Sequence, residues 1–188
     1  TCDRCHGRGQ IVDTPCKTCD GKGKIRRQKT IEISVPAGID DDQILNVGGK
    51  GNAGSNGGPN GDLHVYITVR PHAIFTRRGN DVWCDMPITF TQAALGAEVT
   101  VPTLDGKVSY TVHEGTQPGD VFKLKGKGIQ SINGRGRGDQ YVRVTVEVPK
   151  NLSKRQKELL QEFEQNADEK NYQKRKSFFG KIKDLFED

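Results

Sequence analysis

VPAGIDDDQILNVGGKG at residues 35–51 lies over VHEGTQPGDVFKLKGKG at residues 112–128 when the sequence is shifted by 77 positions. The same shift places GDLHVYITV (61–69) on GDQYVRVTV (138–146), and no gap is needed. A period of this length is too long for a solenoid and is typical of a duplicated small domain. The sequence therefore predicts two tandem copies of one fold.

Alternation of apolar and polar side chains indicates that the duplicated fold is built from β-strands. The alternating segments are QKTIEISV (28–35), LHVYITV (63–69), AEVTV (97–101), KVSYTV (107–112) and QYVRVTVEV (140–148). Turn residues separate them, and a short helix is predicted only at TQAALG (91–96) and in the C-terminal region. We therefore predict an all-β protein of two tandem β-sandwich domains with a helical C-terminus.

The first of these domains is expected to be incomplete. Residues 81–106 precede the second copy and supply strands that its sandwich needs. The same shift of 77 positions carries them to residues 4–29, where a doubled cysteine motif stands instead. We expect the cysteine segment to be inserted in a loop of the first domain, and this chain to begin within the insertion.

Two cassettes, CDRCHGRG (2–9) and CKTCDGKG (16–23), contain four of the five cysteines. Such pairs form disulfides, act as redox dithiols or bind metal, and a chain without a secretory pattern favours metal. Zinc takes four thiolates in a tetrahedron, and each C-x-x-C turn supplies two of them. The predicted ligands are Cys2, Cys5, Cys16 and Cys19. The glycines after each pair allow the positive φ that such a turn requires.

The fifth cysteine, Cys84, alternates with hydrophobic residues and is predicted to be a buried structural thiol.

Composition limits the other classes of function. The net charge of +5 is spread among alternating signs, and aromatic residues make up only 6% of the chain. A zinc-ribbon nucleic-acid binder therefore stays an alternative that is not favoured, as does a thiol-disulfide oxidoreductase that uses the C-x-x-C pairs. No apolar run approaches the ~18 residues of a membrane span, so we expect a cytoplasmic protein without membrane contact. The histidines are scattered, and no catalytic residue is assigned.

A glycine-rich stretch, GKGNAG (49–54), matches the G-x-G-x-x-G spacing of dinucleotide-binding loops. Such loops lie between a strand and a helix, whereas SNGGPNGD follows here. We interpret the stretch as a hairpin connection.

The C-terminal region reads as amphipathic helix. Residues 151–165 contain a Ser153-x-x-Gln156 capping box and an apolar stripe. The stripe consists of Leu152, Leu159, Leu160 and Phe163. It predicts either packing on the second sandwich or contact with a second copy in a symmetric dimer. The final SFFGKIKDLFED (177–188) also places its apolar residues on one helical face, as a second dimer contact or a membrane-surface helix.

These motifs together resemble the DnaJ family of bacterial J-domain co-chaperones. The resemblance rests on the two CxxCxGxG cassettes, VPAGID, GDLHVYITVRPHAIFTRRGNDV, ALGAEVTVPTLDG and GTQPGDVFKLKGKGI, and it covers essentially the whole chain. It implies the domain limits 1–27 for a partial zinc-binding region, 28–77 for the remainder of the first C-terminal domain, 78–150 for the second, and 151–188 for a dimerisation helix and tail.

In this family four cassettes bind two zinc ions, the first with the fourth and the second with the third. The resemblance implies that the two cassettes here are the third and fourth, because strands follow them. Cys2 and Cys5 would then belong to one ion and Cys16 and Cys19 to the other, each ion lacking two ligands in this chain. The alternatives are that the sites are empty or that all four thiols gather one ion.

The resemblance also implies the partners. They are unfolded client polypeptides, a second copy in a homodimer, and the DnaK chaperone to which the full protein delivers clients. The His-Pro-Asp triplet with which a J domain stimulates DnaK does not occur in the sequence. Clients would bind by strand addition in a groove of the first sandwich, lined by Ile31 and Val65, with Ile33 and Ile67 as weaker candidates. The alternative is that all four are ordinary core residues.

Overall fold

The computed structural model describes residues 2–3, 5–7, 9, 14, 16–19, 23–55 and 57–186, with side chains described up to residue 182. The regular elements among these residues are eight strands, one short helix and two helices near the C-terminus. The elements are β1 (Ile44–Val47), β2 (Leu63–Tyr66), β3 (Thr76–Arg78), β4 (Asp81–Thr89), α1 (Phe90–Leu95), β5 (Ala97–Thr103), β6 (Gly106–Val112), β7 (Val121–Leu124), β8 (Gln140–Glu147), α2 (Lys154–Asn166) and α3 (Gln173–Phe186). The predicted all-β class is confirmed.

The strands form three sheets. β1 pairs with β2, β5 pairs with β6, and a four-stranded sheet has the order β3-β4-β8-β7. The chain divides into two compact units. The first comprises residues up to Asp85, Pro102–Lys107 and Val121–Arg143, and the second comprises Met86–Val101, Val108–Asp120 and Val144–Asp188.

Each unit has its own buried apolar residues. In the first unit these are Val82, Cys84 and Val142, and in the second they are Ile88, Ala93, Val99, Val101, Val112 and Val144. Cys84 is therefore buried as predicted, and burial raises the pKa of its thiol.

The internal repeat of the sequence is also a repeat of the structure. Hairpins β1–β2 and β7–β8 are both antiparallel, and their registers are related by the 77-residue shift. The equivalent pairs are Ile44↔Tyr66 and Val121↔Arg143, Leu45↔Val65 and Phe122↔Val142, Asn46↔His64 and Lys123↔Tyr141, and Val47↔Leu63 and Leu124↔Gln140. Because a slip of one residue would turn every side chain to the other face of the sheet, equal registers mean equivalent apolar faces.

In each copy of the repeat, an equivalent aspartate closes the hairpin loop. Asp62 Oδ1 accepts a hydrogen bond from the Gly49 N–H at 2.9 Å, and Asp139 Oδ1 accepts one from the Gly126 N–H at 2.7 Å. Both glycines have positive φ, +66° and +68°, which explains why glycine stands at both positions. The Gly-Asp pairs that are shared by the two copies therefore fix the ends of the loops.

The ionisation of these two carboxylates makes the stability of the fold depend on pH. The hydrogen bond from Gly126 and the ammonium of Lys123 lower the pKa of Asp139, and the bonds from Gly49 and Asn46 lower that of Asp62. A lowered native pKa stabilises the fold above the unfolded pKa of about 4 and ceases to do so as the pH falls through the native value. We expect the urea concentration at the unfolding midpoint to decrease when the pH is lowered below about 4. Asp139→Asn should flatten this dependence, and an unchanged pH profile for Asp139→Asn would contradict the assignment.

The capping box predicted for the C-terminal helix is confirmed. Ser153 Oγ accepts from the Gln156 N–H, and the Gln156 side chain accepts from the Ser153 N–H. Thr89 and Gln92 form a second capping box at the start of α1. Each box satisfies amide groups that the first turn of a helix leaves unpaired.

One predicted strand is wrong. Residues 28–35 lie outside every ladder, although Ile31 and Ile33 are half-buried and Glu32 and Ser34 are exposed, as alternation predicts. The shift of 77 positions carries this segment onto β6, which is held by β5. No partner strand lies beside residues 28–35 within the described part of the chain. Side-chain alternation selects the faces of a segment, but a strand also requires a hydrogen-bonded neighbour.

Candidate functional site

Hairpin β1–β2 presents an apolar face that is only half covered. Val65 lies opposite Leu45, and Leu63 lies opposite Val47, in the register of the hairpin. All four side chains are half-buried, whereas the intervening residues of both strands are exposed. Ile67, which follows β2, is also half-buried, and its N–H donates to the Gln43 carbonyl at 2.9 Å.

The other two candidates lie in the extended segment before β1. Ile31 and Ile33 are half-buried and two residues apart, so they share one face of that segment. They lie outside the hydrogen-bonded ladder, unlike Val65. The structure therefore places two of the four candidates on or next to β2 and two in the preceding extended segment.

The turn that ends this segment is fixed by Arg77, which the sequence did not single out. Its guanidinium donates to the carbonyls of Ile39 at 2.6 Å and Gly38 at 2.9 Å. Gly38 has φ +88°, and a Cβ there would lie 1.9 Å from the Gln130 carbonyl oxygen. A contact between residues so distant in sequence leaves no local signal in the pattern.

Two residues of the second copy are more deeply buried than their equivalents in the first copy. Val142 is 0% exposed and its counterpart Val65 is half-buried; Val112 is 3% exposed and its counterpart Val35 is 54% exposed. β8 has β4 as a second neighbour, but β2 pairs only with β1 among the described strands. Val65 and Ile67 therefore lack the cover that their counterparts Val142 and Val144 have, whereas Ile31 and Ile33 are half-buried like their counterparts Val108 and Tyr110.

The cysteine cassettes form tight turns. The His6 N–H donates to the Cys2 carbonyl at 2.8 Å. Positive φ values occur at Gly7, Gly9 and Gly23, as predicted for glycines that follow the cysteine pairs. Cys2 and Cys16 are exposed and Cys5 and Cys19 are half-buried; all four are thiols that are not in disulfides.

The second cassette favours the thiolate form of Cys16. Hydrogen bonds from the backbone of Thr18 and of Cys19 lower the pKa of Cys16 to about 7. A thiolate that accepts amide hydrogen bonds within a C-x-x-C turn has the chemistry that zinc requires. No group of three or more metal-ligating side chains comes together among the residues that the structure describes.

The glycine-rich stretch at 49–54 is a hairpin connection, as interpreted. The Gly51 N–H donates to the Gly61 carbonyl at 2.7 Å, and the Gly61 N–H donates to the Asn52 carbonyl at 2.9 Å. A Cβ at Gly54 would lie 2.4 Å from the Pro59 carbonyl oxygen. The loop folds back on itself, and strand β2 follows it where a dinucleotide fold would place a helix.

The apolar stripe of α2 faces solvent. Leu159 and Phe163 are each 48% exposed and Leu160 is 39% exposed, whereas Leu152 is half-buried before the helix. Phe163 contacts the edge of the Phe90 ring, with the ring centroids 6.1 Å apart. Sequence patterning missed Phe90, because a single aromatic residue at a helix start shows no periodicity.

α2, α3 and the segment between them line a half-open groove of about 520 Å³. Two ion pairs lie beside it, Arg175 with Glu164 at 3.7 Å and Lys176 with Glu169 at 3.1 Å. On α3, Phe178 and Phe179 are more than half exposed and contact each other edge to face. In the described residues, no helix has the length and apolar character that crossing a bilayer requires.

Comparisons with known proteins agree across the chain. The DnaJ C terminal domain family matches residues 6–149, and the family described as Chaperone protein DnaJ C-terminal region matches residues 155–188. The chaperone protein DnaJ of Ruminiclostridium cellulolyticum is 59% identical over 186 residues, which cover 99% of this chain and 49% of the relative. That of Acetivibrio thermocellus is 54% identical over 184 residues, which cover 98% of this chain and 48% of the relative. The chain thus spans about half the length of these relatives.

Proposed function

Because the chain belongs to the DnaJ family of chaperones, we propose that it binds apolar segments of unfolded polypeptides on the half-covered face of hairpin β1–β2. The observation that carries the proposal is the difference between the two copies of the repeat. Their registers are equal, yet Val65 is half-buried where Val142 is 0% exposed. An open apolar face beside a strand gives low selectivity, since main-chain hydrogen bonds suit any sequence and side-chain contacts favour apolar residues.

In the full protein we propose that bound clients pass to the DnaK chaperone, and that this part acts in the cytoplasm as a homodimer. The exposed stripe of α2 supports the dimer, because a contiguous apolar patch on a helix favours contact with a protein surface. Two copies of one client face in a dimer would raise the effective concentration of binding sites. We propose no enzymatic activity.

A client-binding test follows from the geometry. The double variant Ile31→Asp, Val65→Asp places carboxylates on the proposed face, and we expect it to protect an unfolded protein from aggregation at least about tenfold less well. Losing about 1.5 kcal/mol of apolar contact changes a dissociation constant by about that factor. Light scattering of a chemically unfolded client measures the effect.

Thr30→Asp, Ser34→Asp is the matched control. These side chains are exposed and lie on the same segment as Ile31, but they alternate with the proposed face. The control should protect as the parent does, and both proteins should show the parent circular dichroism spectrum. Equal protection by the two double variants would reject the face.

We propose that zinc binds the cassettes, with Cys2 and Cys5 as half of one site and Cys16 and Cys19 as half of another. When bound, the ion would cross-link two turns and hold the thiolates. The lowered pKa of Cys16 suits this role, and it also suits the alternative of a thiol-disulfide oxidoreductase. We expect zinc to slow alkylation of Cys16 by iodoacetamide, as followed by mass spectrometry. Unchanged alkylation in excess zinc, together with turnover of a disulfide substrate, would favour the oxidoreductase.

A further inference from the structure

Hairpin β1–β2 is a two-stranded sheet among the described strands, whereas its counterpart β7–β8 belongs to the four-stranded sheet. A two-stranded hairpin on its own is marginally stable at best in water. The apolar side chains of β1–β2 are only half-buried, so their burial contributes less stability than full burial would. We therefore expect contacts at the ends of this hairpin to contribute much of its stability.

The turn that precedes β1 is held from two sides. On one side, Arg77 Nη1 donates to the Ile39 carbonyl at 2.6 Å, and Arg77 Nη2 donates to the Gly38 carbonyl at 2.9 Å. On the other side, the turn lies against the second copy of the repeat. A Cβ at Gly38 would lie 1.9 Å from the Gln130 carbonyl oxygen and 3.1 Å from the Ile132 nitrogen. The turn therefore lies between β3, which contains Arg77, and the loop that follows β7.

The same guanidinium also reaches the turn between β3 and β4. Arg77 Nε donates to the Gly79 carbonyl at 2.8 Å, and the adjacent Asn80 carbonyl accepts a hydrogen bond from the Ile129 N–H at 2.7 Å. The side chain of Arg77 is only 22% exposed, and the Asp40 carboxylate lies 3.5 Å from it. All three nitrogen atoms of one rigid planar group therefore donate to carbonyls of two turns, which the flexible point charge of a lysine cannot reproduce.

We propose that Arg77 is a positioning residue that locks the turn before β1 to the turn between β3 and β4, and so holds hairpin β1–β2 against the second copy. The locked turn leads directly into the hairpin, because the Asp42 N–H donates to the Ile67 carbonyl and the Ile67 N–H donates to the Gln43 carbonyl. Without the guanidinium, the hairpin opens locally while the four-stranded sheet stays folded. Arg77 thereby also orients the face that contains Val65, and only this last consequence rests on the proposed function.

The second copy supplies an internal reference for a test. The Gly119 N–H donates to the Val144 carbonyl, and the Val144 N–H donates to the carbonyl of residue 120, both at 2.8 Å. At the shift of 77 positions, these two hydrogen bonds are the equivalents of those that the N–H groups of Asp42 and Ile67 make. Exchange of the four amide hydrogens therefore compares the two copies within one molecule.

Hydrogen exchange followed by NMR tests the inference on Arg77→Ala. We expect the amides of Asp42 and Ile67 to exchange at least about tenfold faster than in the parent chain, because three hydrogen bonds from a charged group are lost. The amides of Gly119 and Val144 should stay within about twofold of their parent rates, since the opening is local.

Arg135→Ala is the matched control, because it makes the same substitution at an exposed arginine of the loop after β7. It should leave all four exchange rates within about twofold of the parent values. If Arg77→Ala does not fold, Arg77→Lys keeps the charge and should show the same selective acceleration.

Ethylguanidinium provides a readout that a loss of packing would not give. The ion carries the group that Arg77→Ala removes, so adding it to this variant should slow the exchange of Asp42 and Ile67 again. Ethylammonium at equal concentration has the same charge without the planar fork and should not. Parent exchange rates in Arg77→Ala, equal acceleration in both copies, or equal rescue by the two ions would each overturn the inference. No client is present in these measurements, so their outcome is independent of the proposed function.

Discussion

Gly138→Ala should cost about 3 kcal/mol or more of folding free energy, whereas Gly61→Ala, the same change in the first copy, should cost less than about 1 kcal/mol. A Cβ at Gly138 would lie 2.0 Å from the carbonyl oxygen of Asn80 and 2.4 Å from its carbonyl carbon. At Gly61 the nearest atom would be the Asn52 carbonyl oxygen, 3.9 Å away. Neither glycine has a positive φ, so the comparison isolates the steric contact from backbone strain.

The contact at Gly138 cannot relax cheaply. The Asn80 carbonyl, in the turn between β3 and β4, also accepts a hydrogen bond from the Ile129 N–H at 2.7 Å. Moving Asn80 away from an added methyl group would strain this bond. The position of a Cβ is fixed by the backbone and its two nearest neighbours are backbone atoms of Asn80, so no side-chain rotamer relieves the clash.

Urea denaturation followed by tryptophan fluorescence measures both variants. Trp83 is the sole tryptophan, lies on β4 and stacks on Tyr141 with ring centroids 4.8 Å apart, so its emission reports the sheet that contains β8. Circular dichroism gives the independent signal that a two-state analysis requires. Similar losses for Gly138→Ala and Gly61→Ala would contradict the steric explanation.

The pair of glycines also shows the limit of the sequence comparison. Alignment of the two copies predicted equivalent hairpins, and the registers of β1–β2 and β7–β8 confirm it. It also made Gly61 and Gly138 look alike, although only Gly138 lies against Asn80. Local pattern determines which face and register a strand adopts, but the neighbours that pack on it come from distant parts of the chain.

The candidate site shows the same division. The alternation of apolar and polar residues correctly predicted which face of each segment carries Ile31, Ile33 and Val65, and all three are half-buried. It assigned a strand to residues 28–35, where the structure has no ladder, because periodicity carries no information about a partner strand. Arg77 and Phe90 left no signal, since each acts through a tertiary contact with a segment far away in sequence. The assigned roles of Ile31 and Val65 stay predictions that the aggregation assay tests.

Leu159→Glu combined with Phe163→Glu should convert the proposed homodimer to a monomer. Both side chains are 48% exposed and lie one helical turn apart on α2. Burying each in a dimer would contribute about 1.5 kcal/mol, so removing both and adding two charges should raise the dissociation constant at least about a hundredfold. Sedimentation velocity over a range of protein concentrations measures this change.

Gln161→Glu combined with Gln165→Glu is the matched control, since it adds the same charge at the same spacing to exposed polar positions of α2. This control should have the same dimer dissociation constant as the parent chain. Phe163 also contacts Phe90 within one chain, so Leu159→Glu alone separates loss of the dimer from loss of that internal contact. Because the capping box of Ser153 and Gln156 is untouched, the helix content should stay at the parent value in every variant. A parent chain that sediments as a monomer, or a double variant that still sediments as a dimer, would show that the stripe of α2 is not the dimer contact.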